Sequence, residues 1–325
     1  MPVPTDLILT AEVTFSDIQA AAARIHPIAQ RTPVLTSQSF DAEAGVAAFF
    51  KCENLQKGGA FKIRGAANFV YSIPKQNLAR GVVAYSSGNH AQAVAIAAQS
   101  VGIQATLAMP EDAPLSKVAA TQARGARIVR YDRFMQDRAA VGRQIADETG
   151  ATLVPPYDHP WTIAGAGTTA LEFLDQAPSL DALVVCVGGG GLISGCSLAA
   201  HHIHPSIRIF GVEPADGNDT YLSLAAGKRV EIPPPSTIAD GLRAQIPGEI
   251  TFPIVQKHVE RIILVTDDEI RTAVKFLLTR LKILVEPSGA APAAAVLFKK
   301  LPPGLGRVGV VLSGGNVDYD LLASL

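Results

Sequence analysis

The sequence predicts an α/β protein in which helices flank parallel β-sheets, the doubly wound class. Apolar runs of four to six residues alternate with helical patterns, as expected where both faces of a parallel sheet are covered. Hydrophobic residues make up 48% of the 325 residues, which is enough for a sizeable core. The predicted strands are Ala47 to Lys51, Gly81 to Tyr85, Ala105 to Met109, Arg127 to Arg130, Ala182 to Val187, Ile207 to Val212, Arg261 to Val265 and Val308 to Leu312. The predicted helices are Ser16 to Ile25, Lys62 to Tyr71, Ala91 to Val101, Ser116 to Ala123, Arg138 to Glu148, Thr168 to Leu174, Asp267 to Leu281 and Ala290 to Lys299.

Charge and composition favour a small molecule as the partner. The net charge is −1 and there is no long basic run, which argues against nucleic acid. Cys52, Cys186 and Cys196 lack metal-ligand spacing and are expected to be reduced, buried thiols. The segment from Met1 to Glu12 has no basic start followed by a long apolar stretch, and no window is apolar enough to span a membrane. We therefore expect a cytoplasmic protein.

A lysine follows a glycine-rich turn at the start of a predicted helix. Gly58-Gly59-Ala60-Phe61 precedes Lys62, and small and apolar residues follow it on one helix face. The positive end of the helix dipole would lower the lysine pKa and help to supply a neutral, nucleophilic amine. The alternative is a solvated lysine in a strand-to-helix turn.

Three further segments follow predicted strands and suit the binding of anions or polar groups. Ser86-Ser87-Gly88-Asn89-His90 would present free backbone N–H groups and hydroxyls to a carboxylate or phosphate. Four consecutive glycines, Gly188 to Gly191, allow a backbone nest around one anion. Ser313-Gly314-Gly315-Asn316 places a hydroxyl at a strand's carboxyl end, where open α/β sheets bind ligands.

These four segments, in this order, resemble the fold-type II pyridoxal-phosphate enzymes, which share a fold like that of tryptophan synthase β. Within that family they resemble the branch of serine/threonine dehydratases, serine racemases and 3-hydroxyaspartate dehydratases. The resemblance runs from roughly Ile18 to Asp318 and includes Thr32 to Val34, Thr237 to Gly241 and Glu286 to Gly289. It implies two doubly wound parallel-sheet domains: a small domain of residues 81–158, inserted in a large cofactor-binding domain of residues 1–80 and 159–325. It also implies a homodimer.

The resemblance also implies a role for each site residue. Lys62 would hold pyridoxal 5'-phosphate covalently and then remove the substrate's α-proton. The implied cofactor-binding residues are Phe61, Lys62, Asn89, Gly188, Gly189, Gly190, Gly191, Leu192 and Ser313. The implied substrate-binding residues are Ser86, Ser87, Asn89, His90 and Arg138.

Ser313 favours elimination as the chemistry. It would face the pyridine nitrogen, and a neutral hydroxyl cannot protonate that nitrogen as a carboxylate would, which favours expulsion of a β-substituent. The expected reaction is β-elimination from a β-hydroxy amino acid to a 2-keto acid and ammonia. Racemisation of serine, with dehydration as a side activity, is the alternative, because Ser87 matches the position of the second acid in serine racemases.

Two departures from the family pattern bear on the substrate. Ala60 replaces the serine of many threonine dehydratases, which makes threonine a weaker candidate and resembles 3-hydroxyaspartate dehydratases and some racemases. Arg138 lies where racemases place a substrate-facing arginine, and it could pair with a second substrate carboxylate. Its alternative is an exposed arginine at a helix end. Ala244 replaces a serine of the racemases, which slightly disfavours serine racemase as the main role.

An acidic loop follows the strand that ends at Val212. The carboxylates of Glu213 and Asp219, with a carbonyl of Gly217, form a hard oxygen set suited to Mg²⁺ or Ca²⁺. Such loops are usually only solvated. The resemblance to the cation site of serine racemases favours a bound cation with a structural or activating role.

Two rival functions are weaker. A nicotinamide dehydrogenase would need G-x-G-x-x-G, but the sixth residue is Ile193 when counted from Gly188, and Ser194 when counted from Gly189. A non-catalytic amino-acid-binding protein would leave the retention of Lys62, Asn89 and Ser313 unexplained.

Because the sequence ends soon after Asp318, we also expect no C-terminal regulatory domain.

Overall fold

A computed structural model describes residues 12–86, 88–113 and 115–324, and two β-sheets organise them. The strands are β1 (Val34–Thr36), β2 (Ala47–Cys52), β3 (Val82–Tyr85), β4 (Ala105–Pro110), β5 (Arg127–Tyr131), β6 (Thr152–Leu153), β7 (Ala182–Cys186), β8 (Arg208–Pro214), β9 (Arg261–Val265) and β10 (Arg307–Leu312). The larger sheet has six strands in the order β1-β2-β10-β7-β8-β9, and the smaller has four in the order β5-β4-β3-β6. Among the pairs described, only β1 and β2 are antiparallel.

Helices connect the strands and cover both sheets. They are α1 (Phe15–Ile25), α2 (Gln38–Ala44), α3 (Lys62–Ser72), α4 (Lys75–Leu78), α5 (Asn89–Ser100), α6 (Leu115–Gln122), α7 (Arg138–Thr149), α8 (Pro160–Gln176), α9 (Gly191–Ile203), α10 (Asp219–Ala226), α11 (Thr251–His258), α12 (Asp267–Phe276), α13 (Pro287–Leu297) and α14 (Tyr319–Ser324). A π-helical turn, Leu277–Leu281, follows α12.

One buried core lies between the helices and the larger sheet, and another lies where α3 and α5 pack against β3 and β4 of the smaller sheet. Every residue of β7 is buried, and so are five of the six residues of β10. Such strands are covered on both faces, which is why they read as unbroken apolar runs in the sequence. On the helical layers, α8 packs against α9 and α3. Within the described residues, no helix combines the length and apolar content that crossing a membrane requires.

The predicted fold class is confirmed, and all eight predicted strands are present. The smaller sheet is built from residues between Val82 and Leu153, and the chain enters and leaves it from the larger one. The domain limits near Gly81 and Asp158 stay a prediction. Cys52, Cys186 and Cys196 are buried and form no disulfide.

The strand ends bring the four sequence motifs together. β3 leads through Ser86 to α5, β7 leads through the glycine run to α9, and β10 ends directly before Ser313. In parallel sheets these are the carboxyl ends, where ligands bind. Lys62 joins them because Ala60 pairs with Gly314 in an antiparallel bridge.

Candidate active site

The Lys62 segment is fastened to the end of β10 by its backbone. The Phe61 N–H donates to the carbonyl of Ser313 at 3.0 Å, and the Gly315 N–H donates to the carbonyl of Gly59 at 2.9 Å. Gly59 has φ +74°, and a Cβ there would lie 2.3 Å from Oδ1 of Asn316. Only glycine fits this turn, so the glycine before the lysine allows the close approach of the two segments.

The Lys62 amine lies at a small cavity that is also lined by His90, Pro156 and Leu192. Its Nζ donates to the carbonyl of Pro156 at 2.8 Å and lies 5.0 Å from the centre of the Phe61 ring. Desolvation lowers the pKa of Lys62 to about 8, against an opposing effect of Cys186 and Glu286. The pKa is lowered, as the sequence predicted, but the main cause is burial of the amine and not the helix dipole.

The glycine run has no space for side chains. A Cβ on Gly189 would lie 2.3 Å from the Tyr157 ring, a Cβ on Gly191 would lie 2.9 Å from Cβ of Tyr157, and Gly190 has φ +88°. A Cβ on Gly188 would lie 2.9 Å from the carbonyl of Gly241. These four glycines lead directly into the 13-residue helix α9, whose first turn has no side-chain cap. Such a helix start can hold a phosphate through its backbone N–H groups.

Cys186 contacts Ser313 at the ends of two neighbouring strands of the larger sheet. Cys186 ends β7 and Ser313 follows β10, and the thiol Sγ donates to the hydroxyl Oγ at 3.3 Å. Desolvation raises the pKa of Cys186 to about 11, so the thiol keeps its proton. From the sequence this cysteine was expected only to be a buried thiol, and its position just before the glycine run is the one local signal of a role at the site.

A hydrogen-bonded network surrounds Asn89, the first residue of α5. Its Nδ2 donates to Oε1 of Glu286 at 2.7 Å, and its Oδ1 accepts from Nδ2 of Asn316 at 2.8 Å. The backbone N–H of Asn316 donates to Oε2 of Glu286 at 2.9 Å. Glu286 and Asn316 stood in the motifs quoted above without a role, because only the folded chain brings them to Asn89.

The other residues of the Ser86–His90 turn have different surroundings. Ser86 Oγ accepts from the Gly88 N–H at 3.2 Å, whereas Ser87 lies outside the described residues. The His90 ring is buried, and its Nε2 donates to the carbonyl of Val154 at 2.9 Å. Desolvation and then Lys62 lower the pKa of His90 to about 3. His90 is therefore neutral, so a substrate carboxylate would have to depend on N–H and hydroxyl donors of this turn.

Arg138 is exposed and begins α7. It opposes the rise in pKa that burial causes at Tyr85 and at Tyr157. Tyr85 directly precedes Ser86, and Tyr157 lines the Lys62 cavity. Arg138 is thus an exposed residue at a helix end, the alternative given above, and its charge acts on two tyrosines near the site. Neither tyrosine was identified from the sequence.

The acidic loop after β8 contains two buried carboxyl groups. Glu213 accepts from the N–H groups of Thr220 at 3.1 Å and Tyr221 at 2.9 Å, whereas neither carboxyl oxygen of Asp219 has a hydrogen-bond partner. Desolvation raises the pKa of both groups, that of Asp219 to about 7. Among the described residues no three His, Cys, Asp or Glu side chains cluster as metal ligands, so a cation here would also need carbonyls such as that of Gly217, or water.

These residues fit pyridoxal phosphate: a lysine amine of lowered pKa, an uncapped helix start behind four glycines, and a hydroxyl at a neighbouring strand end. Bound there, the phosphate would contact Gly188 to Gly191 and Leu192, and the ring nitrogen would meet Ser313.

The comparisons with known proteins agree with this geometry. The family model described as "Pyridoxal-phosphate dependent enzyme" matches residues 25–314. The chain is 48% identical to an L-threo-3-hydroxyaspartate ammonia-lyase of Saccharomyces cerevisiae, over 96% of each protein. It is 46% identical to a serine racemase of Schizosaccharomyces pombe, over 95% of this chain and 96% of the relative. The structure of maize serine racemase superposes with a TM-score of 0.93 at 44% identity, over 97% of each chain. The chain therefore belongs to the pyridoxal-phosphate-dependent enzymes of fold-type II, as the sequence motifs predicted.

Proposed function

We propose that the enzyme is an ammonia-lyase that acts on 3-hydroxyaspartate, with serine as a poorer substrate and threonine poorer still. The lyase proposal depends on two features that occur at the same site. The pKa of Lys62 is lowered to about 8, and the Ser313 hydroxyl is neutral and accepts a hydrogen bond from Cys186. Arg138 and the relatives that act on L-threo-3-hydroxyaspartate support the choice of substrate.

Each residue of the site has its own role in the proposed elimination. Bound pyridoxal phosphate supplies an electron sink for the α-carbanion. Lys62 Nζ takes the α-proton, and a neutral hydroxyl at Ser313 leaves the ring nitrogen unprotonated, which favours loss of the β-hydroxyl as water. The released enamine hydrolyses to oxaloacetate and ammonia. Ser86, Ser87, Asn89 and the start of α5 bind the α-carboxylate, and Arg138 binds the second one.

Racemisation of serine is the second candidate. Relatives named serine racemase are 40% to 46% identical to this chain, and the fold matches that of the maize racemase. Reprotonation from the face opposite Lys62 would require an acid such as Ser87.

A divalent cation would neutralise the buried carboxyl groups of the acidic loop. We propose that Mg²⁺ or Ca²⁺ binds Glu213, Asp219 and the Gly217 carbonyl, because two buried carboxyl groups without a cation are costly. We further propose a cytoplasmic homodimer, with the smaller domain spanning residues 81–158. These proposals rest on the resemblance and on the loop.

The test is 2-keto acid release by the purified holoenzyme with Mg²⁺. The substrates are the 3-hydroxyaspartate isomers, L-serine, D-serine and L-threonine, and Lys62→Ala is the inactive control. We expect oxaloacetate to form much faster than pyruvate or 2-oxobutyrate. Dominant conversion of L-serine to D-serine, followed by chiral chromatography, would instead assign a racemase. No product from any substrate would contradict the lyase proposal.

The role of Arg138 needs a matched pair of variants. Arg138→Gln should lower kcat/KM for 3-hydroxyaspartate at least about 10-fold more than for serine, because serine lacks the second carboxylate. Arg143→Gln removes an exposed arginine from the same helix and should change neither value. An equal loss for both substrates in Arg138→Gln would exclude a specificity role.

A further inference from the structure

Two histidines meet where α9 and α11 end, away from the Lys62 cavity. His201 lies in the last turn of α9 and His258 is the last residue of α11. Their Nδ1 atoms are 3.2 Å apart, and Nε2 of His201 lies 3.0 Å from the carbonyl of Ile207. Both side chains are half-buried and line a polar cavity, so small solutes can reach them.

The Ile207 carbonyl fixes the tautomer of His201. A carbonyl can only accept, so Nε2 of His201 carries the proton and Nδ1 offers a lone pair toward His258. Burial, then His201 and Lys257, hold the pKa of His258 below its usual range, against an opposing effect of Glu12. Neutral His258 either donates from Nδ1 to His201 or, as the other tautomer, presents a second lone pair to the same point.

The spacing suits a single metal ion bound by both rings. Two nitrogens at about 2.0 to 2.1 Å from a tetrahedral Zn²⁺ lie about 3.3 Å apart, close to the 3.2 Å found here. A metal-bound histidine typically donates its other N–H to a carbonyl or carboxylate, as His201 does to Ile207.

The surrounding charges favour a cation over an anion. The carbonyl ends of two helices meet at the pair and carry partial negative charge. Of the cavity's basic residues, Arg208 is occupied by Glu260 through contacts of 2.7 and 2.6 Å, and Lys257 lies 3.9 Å from Glu12.

We propose that His201 and His258 bind one transition-metal ion of the Zn²⁺ or Cu²⁺ class, with water completing its coordination. The described residues supply no third His, Cys, Asp or Glu ligand, so the ion is expected to exchange readily. The site would join the ends of two helices whose first turns both contact the glycine run. Thr251 at the start of α11 donates from Oγ1 to the carbonyl of Gly189 at 2.7 Å, and α9 begins at Gly191.

The test uses the holoenzyme with excess Mg²⁺, which occupies hard oxygen sites, and titrates Cu²⁺ and Zn²⁺. We expect one ion per chain, a Cu²⁺ electron paramagnetic resonance spectrum with splitting from two imidazole nitrogens, and at least about 10-fold weaker binding in His201→Gln and in His258→Gln. His202→Gln and His204→Gln are the matched controls on the same stretch of chain and should bind like the unmodified enzyme. Circular dichroism without metal verifies that each variant is folded.

Unchanged affinity in both His201→Gln and His258→Gln would overturn the proposal, as would the absence of nitrogen splitting. In that case the pair is a hydrogen bond that joins two helices. Catalytic activity does not enter the readout, so the result is independent of the proposed reaction.

Discussion

The Cys186 thiol donates to the Ser313 hydroxyl at 3.3 Å, which leaves the hydroxyl proton to point away from the sulfur. Because burial keeps the thiol protonated, Ser313 has a fixed donor on one side, and in its proposed role it would direct its own proton to the cofactor's ring nitrogen. Cys186 is therefore a positioning residue for Ser313.

Replacing Cys186 should weaken cofactor binding modestly. Cys186→Val removes the donor and keeps a similar volume, so the loss should match one hydrogen bond, about 0.5 to 1.5 kcal/mol, or roughly 2- to 10-fold in the Kd for pyridoxal phosphate. Absorbance titration of the apoprotein measures this Kd, and the visible maximum should shift as well. Cys52→Val is the matched control, because Cys52 is also buried and donates to the carbonyl of Phe50. An unchanged Kd and spectrum in Cys186→Val would refute the positioning role.

Capture of pyridoxal phosphate by the apoprotein should depend on the pKa of Lys62. Only the neutral amine reacts, and burial in the folded protein lowers this pKa to about 8 from its ordinary value of 10.5. The capture rate should therefore rise with pH through a midpoint near 8 and fall about tenfold per pH unit well below it. Stopped-flow absorbance gives the profile, with an N-acetyl-lysine amide as the reference. A midpoint near that of the reference would show that the folded protein leaves the amine unperturbed.

Removing the Asp219 carboxylate should abolish the response to divalent cations. The oxygens of Asp219 are buried without hydrogen-bond partners, so Asp219→Asn removes a costly group and should leave the metal-free Tm equal or higher. Mg²⁺ or Ca²⁺ should raise the Tm of the unmodified protein and not that of the variant. Asp216→Asn changes an exposed carboxylate of the same loop and should keep the response. A Tm that EDTA and Ca²⁺ leave unchanged in the unmodified protein would eliminate the cation site.

Arg64 should contribute strongly to stability, because it is completely buried two residues after Lys62. Its guanidinium contacts Glu53 at 2.7 Å and Glu172 at 2.7 Å. Arg64→Met removes the guanidinium from both carboxylates and leaves Glu172 with Lys51 at 2.9 Å and Glu53 with the Thr32 hydroxyl at 2.6 Å. The loss should cost about 3 to 5 kcal/mol in the free energy of unfolding. Arg31→Met removes an exposed partner of Asp175 and should cost less than about 1 kcal/mol. Urea denaturation compares the two variants, and similar losses would contradict the expectation.

Local pattern predicted the long strands and missed the short ones. β7 and β10 are continuous apolar runs because both of their faces are buried, whereas β1 has three residues and β6 two, too few to form a pattern. The predicted helix from Asp267 to Leu281 is α-helical only to Phe276. The last turn is π-helical and ends at Leu281, and the next residue, Lys282, has φ 62°.

Parts of the candidate site could likewise be predicted from the sequence, and other parts could not. Glycine and lysine motifs could be recognised because their chemistry is local to a turn. The contacts of Cys186 with Ser313, and of Glu286 with Asn89, join residues 127 and 197 positions apart, so no local pattern could reveal them. The pKa of Lys62 likewise depends on burial that only the assembled fold produces.

Asn89 follows a strand of the smaller sheet, whereas both of its hydrogen-bond partners, Glu286 and Asn316, belong to the part of the chain that builds the larger sheet. A molecule whose smaller sheet has locally unfolded therefore keeps Lys62 and the glycine run but lacks this amide. Such a molecule would retain the means to hold the phosphate while missing a contact beside the reacting atoms. Under the proposed roles of these residues, holding the cofactor's phosphate would require only the larger sheet, whereas catalysis would require both sheets to be folded at once.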